Sequence, residues 1–181
     1  MFLDRDGTLN VDTHYLSHPD QLTLLPGVAS GLRQLQAMKF GLIVLTNQSG
    51  VARGFFDESQ VAAIHARLRA MLMAEGVRLD GFYICPHGPD DNCACRKPRP
   101  GLLQQVRCHH SFDSRQAYMI GDKEADIGMG QVAGMRTVLV RTGYGRESEY
   151  RGSITPDFVV DTLVEAASLV ERHLIRVSTH S

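Results

Sequence analysis

Short apolar runs alternate along the chain with longer stretches in which apolar residues recur every three or four positions. The runs are Phe2-Leu3, Leu42-Ile43-Val44-Leu45, Phe82-Tyr83-Ile84, Tyr118-Met119-Ile120, Thr137-Val138-Leu139-Val140 and Phe158-Val159-Val160. Helical spacing covers 28–39, 57–75, a stretch opening near Leu102, one ending near Gly134, and 162–174. Val61, Ile64, Leu68 and Leu72 form one stripe, and Leu163, Ala167, Val170 and Leu174 form another. Such stripes belong to a core and not to a binding surface. Asp57 followed by Gln60 has the form of a capping box. Strands that are apolar throughout must be covered on both faces. The alternation therefore predicts an α/β fold, a Rossmann-like parallel sheet with helices on both faces and right-handed crossovers. The tail after Ile175 is polar and is expected to fray.

Parallel strands place their carboxyl ends along one edge, where ligands of open α/β sheets bind. Asp4-Arg5-Asp6-Gly7-Thr8 follows the first run, Thr46-Asn47-Gln48-Ser49-Gly50 the second, and Gly121-Asp122-Lys123-Glu124-Ala125-Asp126 the fourth. Arg96-Lys97-Pro98-Arg99-Pro100-Gly101 adds cations, and its prolines stiffen the approach to the helix near Leu102. Singly, these segments read as solvated turns and a helix-start lysine. Together they carry phosphoryl chemistry. Asp4, Asp6 and Asp122 offer oxygens to Mg²⁺. Asp4 is placed to act as nucleophile and form a phospho-aspartate. Asp6 is placed to act as general acid and then base, which asks for a protonated resting state. An ionised Asp4 would favour that proton and magnesium would oppose it. The Thr46 hydroxyl and Lys97 can stabilise the phosphoryl oxygens.

A second signal is Cys85, His87, Cys93 and Cys95, which provide three thiolates and an imidazole, enough for a closed structural Zn²⁺ site. Such a site would order a loop that lacks apolar residues and fix Arg96 and Lys97 just beyond it. The remaining thiol, Cys108, is expected to be buried and inert. The other histidines, His18, His65, His109, His110, His173 and His180, lack ligand spacing, and Arg141-Thr142-Gly143-Tyr144-Gly145, which follows a strand and could border the site, reads more simply as a plain loop.

With 181 residues, 43% of them hydrophobic, the chain suits a single domain over 1–181 with its zinc loop at 85–95. A formal charge of −1 with interspersed signs gives no footprint for nucleic acid or a membrane surface. No apolar stretch approaches the roughly 18 residues of a membrane span, and no basic leader opens the chain, so a cytoplasmic protein is expected. The 50 positions from Asn47 to Lys97 are filled by a helix, a strand and the zinc loop. They leave no large cap, so the site should be open to water and favour hydrolysis over transfer.

The ordered set Asp4-Arg5-Asp6-Gly7-Thr8, Thr46-Asn47, Lys97 and Gly121-Asp122 with Asp126 resembles the haloacid dehalogenase (HAD) superfamily of phosphohydrolases. That resemblance implies Mg²⁺ held by the Asp4 carboxylate, the Asp6 backbone carbonyl and Asp122. Superfamily members that are dehalogenases lack the second aspartate, so Asp6 points to phosphate. The zinc loop leading into Arg96-Lys97-Pro98, with Leu9-Asn10 and Gly50-Val51-Ala52-Arg53-Gly54, is similar to one branch of the superfamily, the sugar-bisphosphate and histidinol-phosphate phosphatases. The resemblance implies substrate contacts at Asp12, Thr13, His14 and Tyr15, at Asn47, Gln48 and Ser49, and at Arg96 and Lys123. It also implies Thr46 as transition-state stabiliser and a small phosphorylated sugar as substrate; a monomer is expected. The chain departs from the branch in the few residues ahead of Asp4, which bears on stability. It departs again in the short loop from His87 to Cys93, which bears on substrate or anomer preference. A zinc-stabilised binding protein without catalysis would be expected to lack Asp4, Asp6, Asp122 or Lys97, and all four are present.

Overall fold

In a computed structural model of the chain, which describes residues 1–178, six strands form one parallel sheet in the order β3-β2-β1-β4-β5-β6. They are β1 (Phe2–Leu3), β2 (Ile43–Asn47), β3 (Gly81–Cys85), β4 (Tyr118–Gly121), β5 (Arg136–Val140) and β6 (Phe158–Val160). The two-residue β1 sits mid-sheet, with Phe2 paired to Ile43 and Met119, and Leu3 to Val44 and Ile120. From β1 the strand order runs outward both ways. This is the doubly wound order, with its switch point between β1 and β4.

Side chains alternate faces along a strand, so β1, β2, β3 and β4 each feed two cores. Leu3, Val44, Ile120 and Val138 pack with Leu32 and Leu35 of α1 (Val28–Ala37), Ile64, Leu68 and Leu72 of α2 (Glu58–Ala74), and Ala167 and Val170 of α6 (Leu163–Ser178). Phe2, Ile43, Leu45 and Met119 pack with Leu102, Leu103 and Val106 of α3 (Gly101–Arg107) and Met129 of α4 (Glu124–Val132). A further helix, α5 (Gly145–Arg151), follows β5. The expected capping box opens α2. The Gln60 amide donates to Asp57 Oδ1 at 2.9 Å, and the Asp57 amide donates to Gln60 Oε1 at 3.0 Å.

Three expectations need correction. Leu174 ends its stripe exposed, because α6 outruns the sheet it packs on. Where fraying was expected after Ile175, α6 continues to Ser178, since no glycine or proline interrupts it there. The rest of that tail, His180 included, lies outside the described residues. Cys108 is exposed, not buried. It caps the short α3, and its thiol donates back to the Gln104 carbonyl at 3.5 Å. Among the described residues, no helix is long and apolar enough to cross a membrane.

Candidate active site

The Asp4 amide donates to the Ile120 carbonyl at 2.9 Å, which extends the β1–β4 ladder one step and sets the Asp4 side chain at the switch point. Lys97 meets it there. Its Nζ donates to Asp4 Oδ1 at 2.7 Å, to Asp126 Oδ1 at 2.5 Å and to the Leu45 carbonyl at 2.7 Å. Asn47 at the end of β2 fixes the lysine's backbone, accepting from its N–H at 3.0 Å and donating to its carbonyl at 3.2 Å. Burial alone would strip the Lys97 proton. The charges of Asp126 and Asp4 outweigh it and raise the ammonium's pKa.

Asp122 stands at the end of β4 and accepts from the Tyr144 amide at 2.8 Å. Gly7, at φ +87°, has no room for a side chain, because a Cβ there would lie 2.2 Å from Asp122 Oδ2. Burial first, and the Asp4 charge second, push the Asp122 carboxyl up to about 8 and that of Asp126 up to about 6. Oxygens of Asp4, Asp122 and Asp126 lie within 4.8 Å of one another. Asp126 is already committed, to Lys97 through Oδ1 and to the Lys123 amide through Oδ2 at 3.0 Å. Asp4 and Asp122 are therefore the pair that fits a hard divalent cation, whose charge would relieve the repulsion between them.

The Asp6 carboxylate stands outside that cluster. Arg5 grips it from Nε at 3.1 Å and from Nη2 at 3.0 and 2.7 Å, and Asn10 Nδ2 and Gln48 Nε2 each donate to it at 2.9 Å. Although burial works the other way, the Arg5 charge and these donors hold the carboxyl below its ordinary value. The resting state is thus ionised, contrary to the protonated one expected, because the neighbour that decides is Arg5 and not Asp4. His65, expected to be a plain histidine, faces Arg5 Nη1 through Nε2 at 3.2 Å. Burial, and then the Arg5 charge, push its ring down to about 3, so it is neutral.

Asp6 and Lys97 line a cavity of about 300 Å³ together with Asp12, His14, Tyr15, Asn47, Gln48, Ser49, Arg96 and Lys123. Thr13 is not in the lining; its carbonyl accepts from the Tyr15 amide at 2.9 Å and closes the turn. Asp4, Thr46 and Asp122 are buried and join the lining through Lys97, Gln48 and Tyr144 respectively, with Gln48 Nε2 donating to Thr46 Oγ1 at 2.8 Å. Lys123 Nζ donates to Asp12 Oδ2 at 2.7 Å and sits 5.1 Å over the Tyr144 ring. A larger cavity, about 820 Å³, opens at the amino ends of the strands among Phe40, Phe112 and Tyr118, and holds none of these groups.

The plain loop expected after Val140 instead borders the site. Thr142 Oγ1 donates to the Gly7 carbonyl at 2.6 Å, and the Tyr144 hydroxyl lies 2.9 Å from His14 Nδ1. Its position after a strand, on the same edge as the other clusters, was the signal available for finding it.

Cys85 ends β3, and its Sγ lies 3.5 Å from Cys93 Sγ, 3.2 Å from Cys95 Sγ and 3.7 Å from His87 Nδ1. A tetrahedron with Zn–S of about 2.3 Å has edges of about 3.8 Å, close to this cluster. Burial pushes the Cys85 thiol up, the condition a bound cation reverses. Arg99 Nη1 donates to the Cys93 carbonyl at 2.7 Å and Arg96 Nη1 to the His87 carbonyl at 3.1 Å, so both arginines fold back on the loop.

A doubly wound parallel sheet with an aspartate–lysine–carboxylate cluster at its switch point defines a phosphohydrolase of the HAD-like class, and residues 94–166 match the family model described as HAD-hydrolase-like. The chain is 40% identical over 179 residues, 94% of each chain, to the D-glycero-beta-D-manno-heptose-1,7-bisphosphate 7-phosphatase of Yersinia pestis. It is 41% identical over 178 residues to the enzyme of the same name from Haemophilus ducreyi, covering 94% of this chain and 97% of that one. A solved structure of D,D-heptose 1,7-bisphosphate phosphatase from B. bronchiseptica, complexed with magnesium and phosphate, superimposes with a TM-score of 0.90 at 34% identity, covering 96% and 98% of the two chains. The chain belongs to this family of HAD-like phosphatases.

Proposed function

We propose that the chain is an Mg²⁺-dependent phosphatase that removes the 7-phosphate of D-glycero-β-D-manno-heptose 1,7-bisphosphate, leaving heptose 1-phosphate for nucleotide activation. The substrate rests on the names of relatives that match nearly the whole chain. The observation that carries the chemistry is the Asp4 carboxylate held 2.7 Å from a buried ammonium on the floor of a polar, solvent-open edge.

An Asp4 oxygen attacks phosphorus, and the bond from phosphorus to the sugar oxygen breaks as the phospho-aspartate forms. Asp6 gives the departing alkoxide its proton. It then takes one from the water that attacks the phospho-aspartate, which releases phosphate and restores Asp4. Negative charge arriving with the substrate favours protonation of Asp6 against the pull of Arg5. Lys97 and the Thr46 hydroxyl stabilise charge on the transferring oxygens. Asp12, His14, Tyr15, Asn47, Gln48, Ser49, Arg96 and Lys123 make the substrate-binding set, and Thr13 closes the turn that presents His14 and Tyr15. The Asp4 and Asp122 carboxylates and the Asp6 carbonyl would hold Mg²⁺, which would supply charge neutralisation at the phosphoryl group. Cys85, His87, Cys93 and Cys95 would hold Zn²⁺, which would order the loop that carries Arg96 and Lys97. On this reading the chain is one domain over 1–181 and a cytoplasmic monomer, since one sheet edge carries every group the reaction needs.

Mg²⁺-dependent phosphate release from heptose 1,7-bisphosphate and from histidinol phosphate, measured side by side, tests the assignment. The bisphosphate is expected to be preferred and heptose 1-phosphate to accumulate. Asp4→Asn is expected to fall at least about a thousandfold while keeping the fold. Preference for histidinol phosphate would replace the substrate, and an active Asp4→Asn would remove the mechanism.

A further inference from the structure

Arg5 lies between the two aspartates of the acidic motif and is completely buried. Nε and Nη2 of its guanidinium serve Asp6, and Nη2 also donates to Gln48 Oε1 at 3.1 Å. The far corner, Nη1, has one partner among the described residues, His65 Nε2 at 3.2 Å. A guanidinium has donors only, so the imidazole must accept there, with its own proton on Nδ1. His65 comes from the middle of α2 and is held flat against Phe82 of β3, with ring centroids 4.4 Å apart and planes 18° apart. The stack fixes the ring in the plane in which its lone pair meets Arg5. Any aromatic ring would satisfy the stack; the acceptor aimed at Arg5 is what a histidine adds.

We infer that His65 is a positioning residue for proton transfer: by accepting from Nη1 it sets the rotation of the Arg5 fork, and the fork sets where the Asp6 carboxylate points. The inference rests on Asp6 as the proton-transfer group proposed above. Without an acceptor at position 65, a buried N–H corner loses its partner and the fork can pivot about its Asp6 bonds. Asp6 would then be misaligned toward the ester oxygen, whereas Asp4 and Lys97, which share no bond with His65, would keep their places.

The leaving group provides the test. A sugar alkoxide needs a proton as it departs, and p-nitrophenolate does not. His65→Leu removes both acceptor and stack, His65→Phe keeps the stack alone, and His65→Gln returns an acceptor oxygen. All three are checked for folding by circular dichroism and urea unfolding before kinetics on the sugar bisphosphate and on p-nitrophenyl phosphate. For His65→Leu and His65→Phe, kcat on the sugar substrate is expected to fall about tenfold with KM within about twofold, and first-turnover release of p-nitrophenolate, which precedes the step in which Asp6 acts as base, to stay within about twofold. His65→Gln is expected to recover most of the sugar activity. Equal losses on both substrates, no loss on either, or a His65→Gln as impaired as His65→Phe would overturn the inference. Asp6→Asn, run on the same pair, separates it from the reading beneath. If Asp6→Asn discriminates between the leaving groups and the folded His65 variants do not, His65 alone is refuted. If Asp6→Asn does not discriminate, the proton-transfer role of Asp6 fails and takes the inference with it.

Discussion

Lys97 satisfies three acceptors at once, two of them carboxylates, and this is why an ammonium that is 4% exposed keeps its proton. The same geometry makes it the residue whose loss should cost the fold most at this edge. Lys97→Met preserves volume but leaves Asp4 and Asp126 facing each other in the interior. Urea unfolding of the metal-free protein is expected to show a loss of about 3–5 kcal/mol, the cost of breaking a buried ion pair from one side. A loss below about 1 kcal/mol would mean that the two carboxylates find other relief. The positions of Asp4, Lys97 and Asp122 were legible in the sequence, because Asp4 and Asp122 each follow a strand and Lys97 opens a proline-stiffened approach to the helix at Leu102. The charge state of Asp6 was not. Arg5 is its sequence neighbour, yet adjacency says nothing of whether a guanidinium folds back onto the next carboxylate, and Gln48 comes from 42 positions away.

Among the elements, the segment between β3 and α3 carries two tasks in succession, a four-ligand cluster and then the lysine. It is tied to the sheet at one end by Cys85 and at the other by the Asn47 clamp on Lys97. Cys95→Ser removes one of three thiols and is expected to lower zinc content from one per chain to a small fraction, read by elemental analysis, with kcat falling in step. Retained zinc with unchanged kinetics would refute the coupling of loop to lysine. The density of three cysteines and a histidine within 85–95 made this element readable in advance. It did not reveal the stretch after β5, where Thr142 and Tyr144 complete the site through a hydroxyl and a backbone amide, groups that leave no signature in residue type. Strand identities were legible throughout, since each strand carries a short apolar run. Helix ends such as that of α6 were less so, because fraying depends on packing more than on polarity.

For the molecule as a whole, the carboxylates gathered at the switch point give stability a pH dependence that a cation should reverse. In the folded chain Asp122 titrates near 8 and Asp126 near 6, against about 4 for an unfolded aspartate. Between about pH 4 and 8 the folded form therefore holds protons that the unfolded form has released, and stability without metal falls as pH rises through that window. Asp6 acts oppositely: its lowered carboxyl adds stability above about pH 4 that is lost on acidification. Thermal unfolding in EDTA is expected to give a lower Tm at about pH 8.5 than at about pH 6. Added Mg²⁺ should raise Tm by a few degrees more at the higher pH. A larger rise at the lower pH would place the cation elsewhere. The central place of β1 also has a consequence in time. It is followed by its neighbour β4 and by Asp122 only after more than a hundred further residues, as the 114 positions between Thr8 and Asp122 record. On the ribosome Asp4 must wait at the end of a strand that has only β2 beside it until the second half of the sheet emerges, so the cluster of Asp4, Lys97 and Asp122 is completed late.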